Sequence, residues 1–129
     1  MKIHCVIAIV LTAGLFGACK KEKDGAENVT ITFTEPSVGD TIPSWNQVHM
    51  EGTVSGDGEM KGYVISALNA TTNEVLFTTA YDVTSKAYNF HEHWINNLYD
   101  TTSVTVKVEV IKNEAGDRET ATRTVVCLP

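Results

Sequence analysis

The stretch Ser103-Val104-Thr105-Val106-Lys107-Val108-Glu109-Val110-Ile111-Lys112 decides the fold. Val104, Val106, Val108 and Val110 alternate with Thr105, Lys107 and Glu109, a period of two rather than 3.6. Valine is stiff at χ1 and suits a pleated surface. One apolar and one polar face describe a strand lying on a core with its back to water, as antiparallel sheets allow. Downstream, Asn113-Glu114-Ala115-Gly116-Asp117 reads as a hairpin loop, and Glu119 to Cys127 as the strand that returns from it.

The same period runs upstream. Val29, Ile31 and Phe33 alternate with Thr30, Thr32 and Thr34, and Glu35-Pro36-Ser37-Val38-Gly39-Asp40 then breaks the strand. Val48, Met50, Gly52 and Val54 share one face of the next, with His49, Glu51 and Thr53 on the other. Ser55-Gly56-Asp57-Gly58-Glu59 has turn composition. Lys61 to Asn69 follows, with Tyr63, Ile65 and Ala67 opposed to Val64, Ser66 and Leu68. After a turn at Ala70-Thr71-Thr72-Asn73 come a short strand from Glu74 to Ala80 and another in which Tyr88, Phe90 and Trp94 alternate with Asn89, His91 and His93. About seven strands with no helical period predict an all-β fold, a single antiparallel β-sandwich.

The front of the chain has a different composition. Lys2 precedes an apolar run from Cys5 to Leu11, and Leu15-Phe16-Gly17-Ala18-Cys19 closes it with small residues. This is the three-part order of a secretory signal, and the run falls short of the ~20 apolar residues of a membrane-spanning helix. The alternative is an N-terminal anchor that stays uncleaved, or a buried helix. Leu15 to Cys19 resembles a bacterial lipobox, which implies cleavage before Cys19 and lipidation of that cysteine. The expected organisation is a signal peptide over 1–18, a lipidated charged tether over 19–27, and a domain over 28–129. Lys20-Lys21-Glu22-Lys23-Asp24 resembles the charged tags of surface-exported lipoproteins of Bacteroidota-type bacteria. That resemblance implies an outer-membrane location facing outward, with a periplasm-facing protein as the alternative.

Residues 28–129 resemble the immunoglobulin-like or fibronectin-III-like modules of such lipoproteins. The likeness is carried by the Pro36-Ser37-Val38-Gly39-Asp40 break, the Leu68-Asn69-Ala70-Thr71-Thr72 hairpin, Tyr88 to Trp94, and the valine strand with its loop. It implies an immunoglobulin-like β-sandwich without the cysteine pair of antibody domains. It also implies a non-catalytic module that binds or scaffolds a protein or glycan partner. The fold by itself assigns no function.

Charge and cysteine usage narrow the classes further. Ten Lys and Arg against sixteen Asp and Glu give a net charge of −6, which argues against nucleic acid as a partner. Of three cysteines, Cys5 leaves with the leader and Cys19 takes lipid, so Cys127 stands alone beside Val125 and Val126 as a small buried hydrophobe. No nucleophile elbow, Cys–His pairing or glycine-rich phosphate loop is present, and no enzyme is expected.

The sharpest chemical pattern is His91-Glu92-His93. Histidines at i and i+2 of a strand project from one face. In an immunoglobulin-like strand order the strand of His49 neighbours theirs, so His49, His91 and His93 share an outer surface and offer nitrogens to Zn²⁺ or Cu²⁺. The plainer reading is three ordinary exposed histidines and no cofactor. Glu92, inward by parity, is poorly placed as a general base. Asp57, Glu59 and Asp117 are oxygen donors in turns without calcium-loop spacing. Trp45, Trp94 and Tyr99 are candidates for an aromatic platform. Asp40-Thr41-Ile42 and Asp100-Thr101-Thr102 resemble bacterial O-glycan acceptor triplets, which implies modification at Thr41 and Thr101. Asn28-Val29-Thr30 and Asn69-Ala70-Thr71 match the N-glycan sequon, which a bacterial lipoprotein leaves bare.

Overall fold

A computed structural model describes residues 24–129. The leader, Cys19 and the tether through Lys23 lie outside the described residues. Six strands follow in order: β1 (Val29–Glu35), β2 (Thr41–Ile42), β3 (Gln47–Asn69), β4 (Val75–Ile95), β5 (Thr102–Ile111) and β6 (Arg118–Cys127). No helix occurs among the described residues.

Two strands are long enough to serve both layers of a sandwich. The first half of β3 pairs antiparallel with β1, Ile31 opposite Val54, and with the second half of β4, Gly52 opposite Phe90. The second half of β3 pairs with β5, Tyr63 opposite Val110, and with the first half of β4, Tyr63 opposite Tyr81. The register shifts between Ser55 and Met60 and again before Gly62, which marks where the β3–β4 hairpin passes from one sheet to the other. β6 completes the second sheet beside β5 and takes the short β2 in parallel on its far side.

The parity read from the sequence holds. Val104, Val106, Val108 and Val110 are each fully buried, as are Val48, Met50, Ile65, Ala67, Phe90, Val125 and Cys127, and all belong to one apolar cluster. The sheets also meet through a cation–π contact, with the Arg123 guanidinium of β6 5.5 Å from the Phe33 ring centre of β1. The described residues form an all-β, immunoglobulin-like sandwich.

Two expectations are corrected. Ser55–Glu59 is not a turn between strands but a bend within β3, and the two strands expected over Glu74–Ala80 and Tyr88–Trp94 are one strand, β4. The glycines and aspartate at the bend receive the segment before β1. Asp57 accepts hydrogen bonds at Oδ1 from the backbone N–H of Glu27 (2.8 Å) and Asn28 (3.1 Å), and at Oδ2 from Asn28 Nδ2 (2.8 Å). A Cβ on Gly58 would stand 2.0 Å from the Gly25 carbonyl oxygen, so only glycine admits this approach. Ala26 is buried and donates its N–H to Lys112 O at 2.9 Å. Asp24 to Glu27, expected as the end of the tether, therefore lie against the domain.

Candidate functional site on the outer face of the first sheet

β3 runs between β1 and β4 in the first sheet, so its side chains are held from both sides. Antiparallel partners project to the same face. His49 stands opposite His93 and Glu51 opposite His91, while Val48, Met50 and Phe90 point the other way into the core. The four polar residues thus share the outer face, and the strands of His49 and His91 are neighbours as expected.

Three of them converge. His91 Nε2 lies 2.9 Å from Glu51 Oε1, and His49 Nδ1 lies 3.6 Å from the same oxygen. The imidazole planes are parallel within 2°, their centres 6.4 Å apart. One donor atom from each of His49, Glu51 and His91 falls within 4.8 Å of the others. His49 Nδ1 is shielded from solvent and has no hydrogen-bond partner. His93 shares the face, but its nitrogens are not among the converging donors. Glu51 takes the third place expected for His93. Its signal was the shared parity of His49, Glu51 and Thr53, which lacks force until β4 is laid beside them.

Glu92 faces away from this cluster, as its parity requires. The Tyr81 hydroxyl donates to Glu92 Oε2, and this bond, more than the His93 N–H that Oε1 accepts, holds the carboxyl below its usual range. Tyr81 belongs to a stack in which Tyr63 lies 5.0 Å from Tyr81 and 5.1 Å from Tyr88, centre to centre. Burial raises the phenols of Tyr63 and Tyr88, and the Tyr88 hydroxyl has no hydrogen-bond partner.

The other candidates separate cleanly. Asp57 binds the segment before β1, and Asp117 ties its own loop through Asn113, whose Nδ2 donates to Asp117 Oδ2 at 2.8 Å. Both act as backbone and loop ties. Trp94 is partly buried against the core, whereas Trp45 and Tyr99 are 71% and 90% exposed. Their loops meet at one pole, where Trp45 N–H donates to Asn96 O (2.7 Å) and Asn96 N–H to Asn46 O (2.9 Å). Thr41 and Thr101 are exposed. Cys127 is buried, and burial pushes its thiol up to about 11.

The sequence reading did not single out Asn96. It is fully buried, its Nδ2 donates to Ile42 O (3.0 Å) and Leu128 O (2.8 Å), and its Oδ1 accepts Leu98 N–H (3.1 Å). One amide thereby ties together β2, the end of the chain and the loop after β4.

No family model matches the chain, and no curated protein matches it. Among solved structures it is similar to the fibronectin(III)-like modules of Clostridium thermocellum CbhA, with a TM-score of 0.51 and 12% identity over 77% of this chain and 96% of that one. A looser likeness is to Dpr1 IG1 bound to DIP-eta IG1, with a TM-score of 0.38 and 13% identity over 80% of this chain and 98% of that one. At such identity, the first likeness speaks to the fold alone.

Proposed function

We propose that the chain is a lipid-anchored module of the cell envelope that binds or scaffolds a protein or glycan partner and catalyses nothing itself. The observation that carries this reading is the Leu15-Phe16-Gly17-Ala18-Cys19 pattern standing a few residues ahead of a single sandwich. Acyl chains on Cys19 supply the membrane attachment, and two such chains hold stably where one is marginal. The outer membrane, with the sandwich facing outward, is the location this reading favours.

The pole at Asn96 suits contact with a partner. Trp45, Tyr99 and Ile95 expose large apolar surface there, Ile95 at 46%. Trp45 holds a positive φ of 64°, uncommon for a bulky residue, while its N–H binds Asn96 O. Aromatic side chains on a rigid frame bind at low entropic cost.

Cell fractionation with acyl labelling tests the anchor. Wild type should carry label and sediment with membranes, and Cys19→Ala should lose both. Continued sedimentation of the unlabelled mutant with its leader removed would refute the anchor. A photo-crosslinking residue at Tyr99 should then give adducts in cells that one at Thr122, in the second sheet, does not.

A further inference from the structure

We propose that His49, Glu51 and His91 form a binding site for a divalent transition metal, Zn²⁺ in the first instance. This inference is independent of the envelope reading, since it rests on side chains of the folded domain and needs no anchor or partner.

Spacing is the first condition for a shared ion. Zinc bonds to imidazole nitrogen and carboxylate oxygen are ~2.0–2.2 Å long and tetrahedral, so ligating atoms stand roughly 3.3–3.6 Å apart. His49 Nδ1 and Glu51 Oε1 are 3.6 Å apart, and His91 Nε2 and the same oxygen are 2.9 Å apart. No pair of donors in the set exceeds 4.8 Å. The two pairs with Glu51 already stand near this spacing. A shift of up to about an ångström between the two imidazoles, within reach of χ1 and χ2 rotations of partly exposed side chains, brings all three around one ion.

The donor set selects the metal. Two imidazoles and one carboxylate suit zinc or copper, whereas Ca²⁺ and Mg²⁺ prefer all-oxygen shells. Three protein ligands leave a fourth position open to water or another donor. His49 Nδ1 faces the carboxylate with no hydrogen bond to give up, and in the tautomer protonated at Nε2 its lone pair points into the site. At His91, any hydrogen on Nε2 must pass to Nδ1 or to solvent before that nitrogen can ligate.

The elements supply the rigidity. His49 and Glu51 lie on the central strand of the sheet, and Val48 and Met50 beside them are fully buried. His91 adjoins Phe90, which is 1% exposed. The backbone positions of all three ligands are thus fixed by core packing, as a preorganised site requires. His93, opposite His49, is outside the set, and that distinguishes this site from a generic histidine patch.

Calorimetric titration of the untagged full chain with Zn²⁺ tests the proposal, with Ca²⁺ as the comparison ion. Wild type should bind Zn²⁺ at this site and show no heat with Ca²⁺. Outer-shell groups alone are worth about 10–100-fold in metal affinity. His49→Ala, Glu51→Gln and His91→Ala should therefore each weaken binding at least about tenfold, and His93→Ala should change it little. All four positions face solvent at least in part, and matching thermal transitions would verify that the variants fold. Histidine ring resonances of His49 and His91, but not His93, should shift on adding zinc. The proposal is overturned if wild type binds no zinc, if His91→Ala binds as wild type does, or if His93→Ala is as damaging as His91→Ala.

Discussion

At the scale of single residues, the strongest determinants are those with one face committed to the core. Val108 has no exposed surface and sits between Ile65 and Ala121 in the register of β5. Val108→Ala removes two methyl groups and leaves a void that a strand paired on both sides cannot close. The expected loss is about 1–3 kcal/mol, read as a lower urea midpoint at unchanged m-value. A neutral result would mean that β5 does not present this face to the core. Val108 was legible in advance because its neighbours at i±2 are also valine. Asn96 was not, because the Asn96-Asn97 pair after a strand has the composition of any turn. Its role appears only once Ile42 and Leu128, far away in sequence, close around its side chain.

Between elements, the informative failure is Ser55–Glu59. Glycine and aspartate there predict chain reversal, since that is their commonest use. In the structure they serve a different need, a bend whose outer side accepts the backbone of Gly25 to Asn28. The physical requirement, close approach and N–H acceptance, is the same as in a turn, so composition cannot separate the two. Gly58→Ala should therefore loosen the segment before β1 without unfolding the sandwich. Amide exchange at Ala26, Glu27 and Asn28 should speed up while that of Val106 and Val108 stays slow. Uniformly faster exchange would mean that the bend is needed for the whole fold. Glu51 was missed for a related reason. The face it shares with His49 was visible from parity, but its partner His91 is forty residues further along the chain.

For the molecule as a whole, buried acids set an alkaline limit. Burial pushes the Cys127 thiol from 9.0 up to about 11 and raises the Tyr88 phenol as well. Between about pH 9 and 11 the unfolded chain has lost the thiol proton that the folded chain still holds. The folded state then binds more protons, so stability falls as pH rises through this window. Each such group contributes a slope of up to about 1.4 kcal/mol per pH unit. Urea unfolding at pH 8 and pH 10.5 should show the loss, and Cys127→Ala should reduce it. A flat profile would mean that the thiol is accessible to water in the folded protein.

The central claim at this scale is that one hairpin of two bent strands builds both sheets and, in doing so, brings His49, Glu51 and His91 together. Cross-strand nuclear Overhauser contacts in the full chain test it most directly. The account predicts that Tyr63 contacts both Tyr81 and Val110 while Glu51 contacts His91, all within one molecule. Contacts pairing Val48–Val54 with Lys61–Asn69 across a tight turn at Ser55–Glu59 would contradict it, and with it the metal site that depends on this register.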